Sequence, residues 1–271
     1  ECGEFEVIAR LEAKFANGTQ RDRAIVVDVG DDAAVYAPRP GWQQVITTDA
    51  LVAGRHFLPA WTSAREIGAR AMQVNLSDLA AMGAVPRFAL VSLGLPADFR
   101  WSQLSSMYDG FLDALTDAAA QVEDSEPPLL VGPSIIGGNL SSVIKGWFIN
   151  LTLIGEVEEG RALIRGGAKV GDEVWISGSP GRSAAGLAIL MRLAGETSDS
   201  ANEAEGRQRE AWLEAHPWGR SILDSLVAPR ARIASLASRE RSVAVSTERA
   251  ATSTACAPPR ARSSALPAAC A

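Results

Sequence analysis

The chain has 271 residues, enough for one large domain or two ordinary ones. Hydrophobic residues make up 47% and charged residues 21%, the composition of a soluble globular protein, and no apolar run approaches the roughly 20 residues needed to span a bilayer. A net charge of −6 argues against a general nucleic-acid role, although an acidic chain still binds nucleotides when metal ions neutralise the phosphates.

In chain order, residues 4–16 place Phe5, Val7, Ile8, Leu11 and Phe15 near helical spacing and predict a short amphipathic helix. Ala24–Val29 and Val45–Thr48, rich in Val and Ile, predict strands. Ser63-Ala64-Arg65-Glu66 is a capping box that starts a helix running towards Met82, with Gly83 and Pro86 as its stop. Phe88–Leu95 predicts a strand and Trp101 to about Val122 a long helix, with Leu104, Tyr108, Phe111, Leu112 and Leu115 on one side. Leu129–Val131 and Trp147–Ile154 predict further strands. A second unit is expected from about Glu156, with a strand at Glu173–Ser177, a turn at Gly178-Ser179-Pro180-Gly181 and a helix at Ser183–Leu193. That turn reads equally well as an anion site or as a tight connection. Residues 196–210 read as a mobile loop.

From about residue 238 the composition changes to Ala, Ser, Arg, Thr and Pro, and neither a helix nor a strand period persists. Such a segment buries too little apolar surface to offset its ordering entropy. It reads either as a disordered extension or as a GC-rich gene in the wrong frame. The start, Glu1-Cys2-Gly3-Glu4-Phe5, lacks the basic and apolar regions of a signal peptide, and the absence of an initial Met reads as a fragment or a processed chain. Cysteines at 2, 256 and 270 have neither metal spacing nor a disulfide framework, which fits a cytosolic, reduced setting.

Three acidic clusters carry the chemistry: Gly30-Asp31-Asp32-Ala33-Ala34, Thr47-Thr48-Asp49 and Asn75-Leu76-Ser77-Asp78. Gathered carboxylates repel one another unless a cation or a proton intervenes. Hydroxyls and carboxylates together suit a hard cation, and Mg²⁺ shares such ligands with substrate phosphates. The clusters therefore predict a Mg²⁺-nucleotide site. Each also has a plainer reading: a solvated turn or a cap at Asp31-Asp32, ordinary β-branched strand residues at Thr47-Thr48, a surface acid at Asp78. Asp49 is expected at the end of its strand, where α/β folds carry ligands, and Asp78 is expected to be partly buried and in need of a partner.

With their surroundings the clusters resemble thiamine-monophosphate kinase. The resemblance runs over roughly residues 3–195. It includes Thr47-Thr48-Asp49-Ala50-Leu51-Val52-Ala53-Gly54-Arg55-His56-Phe57 and Asn75-Leu76-Ser77-Asp78-Leu79-Ala80-Ala81-Met82-Gly83-Ala84, and it resumes at Arg161–Arg165 and Ser183–Leu187. Related ATP-dependent synthetases of the superfamily, such as those making selenophosphate, look different in these segments. The resemblance implies an α/β (α+β), PurM-like two-domain architecture: residues 1–155 bind Mg-ATP and dimerise and 156–237 form a partial second domain, followed by the low-complexity tail that composition sets at 238–271. It implies ATP- and Mg²⁺-dependent phosphorylation of thiamine monophosphate to thiamine diphosphate by a cytoplasmic homodimer. By the same resemblance Asp31, Thr47, Thr48, Asp49, Asp78 and Asn139 would hold several Mg²⁺ ions. Tyr108, Gly138, Asn139 and Arg165 would contact ATP, and His56 the thiamine substrate. Core packing for Tyr108, a core or turn role for His56 and a surface charge for Arg165 stay open beside these roles. No nucleophilic side chain is implied, because phosphoryl transfer rests on positioning and charge neutralisation.

The chain also departs from that pattern. Gly137-Gly138-Asn139 stands where the family has Gly-Gly-Asp after its fifth strand, so one carboxylate is replaced by an uncharged amide. Arg182 stands where Asp is common. The later Asp-x-Ser-Asp-Gly-Leu segment, expected soon after Pro229-Arg230, is absent, as are the later aromatic residues that hold the thiamine ring. Its loss where the composition changes favours the frame-shift reading of the tail. A catalytically impaired Mg-ATP-binding remnant, or a related small-molecule kinase, therefore stands as the alternative.

Overall fold

The computed structural model describes residues 4–16, 22–123, 133–175, 180–195, 211–216 and 242–244. Its elements are α1 (Glu4–Ala16), β1 (Ile25–Val27), β2 (Val35–Tyr36), β3 (Trp42–Val52), α2 (Ala64–Ala81), β4 (Val85–Leu95), α3 (Trp101–Glu123), β5 (Ser134–Ser142), β6 (Phe148–Glu158), β7 (Glu173–Trp175), α4 (Arg182–Gly195) and β8 (Ser242–Ala244).

Four strands form the main sheet in the order β3-β6-β4-β5. β3 and β6 pair antiparallel over their full length, from Trp42↔Glu158 to Val52↔Phe148. β4 and β5 pair in parallel, as a helical crossover (here α3) permits. Alternation along the strands sorts two faces. Leu51, Val91, Leu93, Ile149, Leu151 and Leu153 point into the core, where they meet Ile67, Met72, Leu76 and Leu79 of α2 and Met107, Phe111 and Leu115 of α3. The opposite face carries Ile46, Thr48, Val52, Asn150 and Thr152; Ile46 is 66% exposed and Val52 41%.

The Ser63–Glu66 capping box starts α2 as expected. The Ser63 N–H donates to Glu66 Oε2 at 2.7 Å and the Glu66 N–H donates to Ser63 Oγ at 3.3 Å. Gly83, at φ 71°, ends it by taking the left-handed conformation that other residues resist. α2 and α3 cross with backbone against backbone. A Cβ at Gly68 would collide with the Met107 carbonyl, and one at Gly110 with the Arg65 carbonyl. α1 docks on α3 through Lys14, whose Nζ lies 2.6 Å from Asp109 Oδ1 and donates to Ser105 Oγ at 3.0 Å.

Several expectations are corrected. β3 does not stop at Thr48 but runs on to Val52, so Asp49 lies inside the strand; continuous pairing with β6 overrides its low strand propensity. The Gly137-Gly138-Asn139 segment does not follow a strand but lies within β5. Gly138 backs so closely on the Val91 carbonyl that no side chain fits, and the register slips between Ala89 and Leu90. The strand expected at Leu129–Val131 and the loop expected at 196–210 lie outside the described residues, as does most of the tail. Ser242–Ala244, in a stretch read from composition as lacking regular structure, forms β8 in parallel with β7. The expected boundary at 155/156 falls inside β6. A smaller cluster of Leu187, Leu190 and Leu213 packs with Trp61 and Trp212.

Candidate functional site

β3 and the last third of α2 bring two of the acidic clusters together. The Thr47 hydroxyl donates to Asp78 Oδ2 at 2.8 Å. Both residues are half-buried, and the bond satisfies part of a carboxylate that helix packing has drawn out of water. Thr47 and Asp49 share one side of β3 by strand alternation. Thr48 does not join them. Its hydroxyl lies on the open sheet face, 3.0 Å from the Leu151 carbonyl and 3.2 Å from Asn150 Oδ1, and it accepts from the Thr152 hydroxyl at 3.2 Å.

Asp31 is exposed in the turn after β1, where its Oδ1 accepts the Asp32 N–H at 2.8 Å. His56 closes the turn after β3. Its Nδ1 accepts the Val52 N–H at 3.0 Å, and its own N–H donates to the Val52 carbonyl at 2.9 Å. Partial burial lowers the His56 pKa below the ordinary value, the positive charges of Arg70 and Arg55 lower it further, and Asp49 opposes them. A neutral ring with an accepting Nδ1 carries its proton on Nε2, which leaves that N–H as the donor for other partners.

The remaining expected residues are more dispersed. Tyr108 is 6% exposed; its ring meets Phe111 edge-on at 5.1 Å, and burial pushes its hydroxyl pKa well up. It belongs to the core, and only an edge of it reaches the surface. Gly138 and Asn139 are exposed on β5, and the Asn139 amide donates to Ser141 Oγ at 2.8 Å. Arg165 is exposed in the segment after β6.

The donor chemistry of Thr47, Asp49 and Asp78 is hard oxygen, which fits Mg²⁺. Among the described residues, no three His, Cys, Asp or Glu side chains gather closely enough to hold a metal ion by themselves. Asp31 and Asp78 spend oxygens on a backbone amide and a hydroxyl instead. The arrangement fits an ion held by one or two carboxylates with waters and phosphate oxygens completing its shell, the usual habit of Mg²⁺.

Two features escaped sequence reading. Arg70 is only 5% exposed, on α2 between Ile67 and Asn75, and its charge reaches His56. A cation within an apolar helix face was the available signal. Arg87 of β4 pairs with both Asp22 and Glu156, at 2.5 Å from Asp22 Oδ2. Nothing in the local sequence joins positions 22, 87 and 156.

Residues 30–157 match the AIR synthase related protein, N-terminal domain family. Thiamine-monophosphate kinase of Bacillus subtilis (strain 168) is 35% identical over 188 residues, covering 69% of this chain and 53% of the relative. The Escherichia coli (strain K12) enzyme is 40% identical over 191 residues, covering 70% and 52%. The crystal structure of thiamine-monophosphate kinase from Stenotrophomonas maltophilia K279a superposes with a TM-score of 0.64 at 30% identity, covering 88% of this chain and 64% of that one. A structure of AaThiL complexed with AMPPCP and TMP superposes with a TM-score of 0.55 at 28% identity, covering 85% and 60%. The chain spans about half the length of the curated relatives it matches. The fold is the α/β, PurM-like one of these structures. Motif, sheet order and likeness together make the chain PurM-like in fold, similar over residues 30–157 to the AIR synthase related protein N-terminal domain and over about half of their length to the thiamine-monophosphate kinases.

Proposed function

We propose that the chain transfers the γ-phosphoryl group of ATP to thiamine monophosphate, giving thiamine diphosphate. The observation that carries this reading is the Thr47–Asp78 hydrogen bond, which joins the two segments most specific to the resemblance. The names of the relatives and the AMPPCP and TMP bound by AaThiL support it.

In this reading Asp49 and Asp78 hold Mg²⁺, with the Thr47 hydroxyl steering the Asp78 carboxylate. Bound Mg²⁺ neutralises the two anions that must meet when the acceptor is itself a phosphate. Asp31 and the Asn139 carbonyl are proposed as outlying ligands, with Thr48 limited to its backbone. Gly138 offers ATP a strand with no side chain in the way, Arg165 offers it a cation, and Tyr108 contributes only its exposed edge. His56, neutral, presents Nε2–H to thiamine monophosphate. The protein orients and shields; its side chains form no covalent bond to the substrate.

A homodimer belongs to the same proposal. The open sheet face, with Ile46 and Val52 exposed on an edge strand, supports it, because exposed apolar edges favour pairing. A cytoplasmic setting is proposed with it. Among the described residues no helix is long and apolar enough to cross a membrane.

The test is incubation of the full chain with Mg-ATP and thiamine monophosphate. ADP and thiamine diphosphate in equal amounts are expected. ATP binding without diphosphate would replace the kinase with a nucleotide-binding remnant, and absence of both would sink the reading entirely.

A further inference from the structure

The turn carrying Gly30-Asp31-Asp32 is the tip of a hairpin with little support of its own. β1 and β2 pair at two positions, Ile25↔Tyr36 and Val27↔Val35, and a ladder that short does not hold its place in water. Glu12 of α1 lies beside Gly30 at the tip; the ion-paired support is at the root, where both legs lead to one buried carboxylate.

Glu156 of β6 is 2% exposed. Arg87 of β4 pairs with it through Nη1 and reaches Asp22, on the entering leg, through Nη2 at 2.5 Å. The other oxygen of Asp22 accepts the Ala24 N–H at 2.9 Å, and its carbonyl accepts the Ile25 N–H at 3.0 Å, so the clamp acts directly on the start of β1. On the leaving leg, Arg39 Nη1 lies 3.7 Å from Glu156 and its guanidinium covers the Trp42 ring at 4.1 Å. Between them Tyr36 rests on Phe88 at 4.8 Å and its hydroxyl donates to Gln44 Oε1 at 3.3 Å.

A buried ion group of this kind contributes little net stability compared with apolar side chains of the same volume. A guanidinium fork between two carboxylates does fix direction, which an apolar contact does not. We infer that Arg87, seated on Glu156, is a positioning residue that aims the Asp31 turn at the Mg-nucleotide. The ligand half of this inference rests on the proposed function; the positioning half does not.

Two variants separate the possibilities. Arg87→Lys keeps the charge and loses the fork. The triple change Asp22→Asn, Arg87→Met, Glu156→Gln removes the ion group without stranding a buried charge. Amide exchange is read at residues 25–36 and at residues 149–155 as an internal reference, and calorimetry measures affinity for Mg-AMPPNP, all on the full chain. The triple variant is expected to exchange about tenfold faster at 25–36 with the reference unchanged, and to bind Mg-AMPPNP about tenfold more weakly; Arg87→Lys is expected to recover part of both. Unchanged exchange in the hairpin overturns the inference, and so does a loosened hairpin with unchanged affinity. Should the triple variant fail to fold, Arg87→Lys carries both measurements, and wild-type behaviour in either overturns the inference. If the unaltered chain binds no Mg-AMPPNP, the proposed function fails, while the exchange data still decide whether the node holds the hairpin.

Discussion

Asp78 shows how much a single hydrogen bond decides at this site. A carboxylate on a half-buried helix face needs a donor, and one left undirected would be a poor ligand for a cation. The Thr47 hydroxyl at 2.8 Å fixes one oxygen and with it the direction of the carboxylate. Asp49→Ala and Asp78→Ala are each expected to abolish Mg-ATP binding in calorimetry; affinity equal to that of the unaltered chain in either would remove that residue from the site. His56 carries a pH prediction. Its folded pKa lies below the ordinary 6.5, so the unfolded chain binds the extra proton first as pH falls. Its contribution to stability is therefore complete above about pH 6.5 and is lost as pH falls from there through the folded value. Protonation of Nδ1 also costs the acceptor for the Val52 N–H. An imidazole NMR titration should give a midpoint below 6.5, with the Val52 amide signal moving in step. A midpoint above 6.5 would contradict the burial and the facing arginines.

Among the elements, α2 and α3 are held by what they lack. Gly68 and Gly110 let the two backbones touch, so the axis of α2, and with it the height of Asp78 over β3, is set by main chain rather than by adjustable side chains. Gly110→Ala is expected to destabilise the fold by about 2 kcal/mol or more, read from urea unfolding, because the new methyl meets the fixed Arg65 carbonyl. A loss below about 0.5 kcal/mol would mean that the helices separate easily. The limits of α2 were legible in the sequence because capping box and terminal glycine are local signals. β3 was under-read because an acidic residue looks like a strand end when the partner strand, a hundred residues away, is out of view. β5 lies beyond a local reading for a related reason: two glycines argue against a strand until Val91 is seen pressing on Gly138. The residues of the site were legible as types in clusters. That Thr47 meets Asp78, and that Thr48 turns away, depends on strand alternation and on the docking of α2.

At the scale of the molecule, one face of the main sheet is covered by two helices and the other exposes Ile46 and Val52 beside a ladder of Thr48, Asn150 and Thr152. Burying that face in a second copy would desolvate the ladder, whose hydroxyls already bond to one another and to the Leu151 carbonyl. Sedimentation should give a dimer for the unaltered chain and a monomer for Ile46→Asp, which sets a charge at the centre of the apolar rim. A dimer that survives the change would locate pairing elsewhere.

The opposed directions of Thr47 and Thr48 have a consequence for what kinds of genetic change β3 can absorb. A strand repeats every two residues, so one inserted residue between Trp42 and Thr47 exchanges its two faces. Thr47 and Asp49 would then turn out to the open side and Thr48 in towards Asp78. Point substitutions along the strand degrade one surface at a time, whereas a single-codon insertion inverts both together. An Ala inserted after Gln44 is expected to eliminate nucleotide binding and self-association in one step, while two inserted residues restore the phase and part of both. Length parity, more than residue identity, is the heritable constraint on this strand.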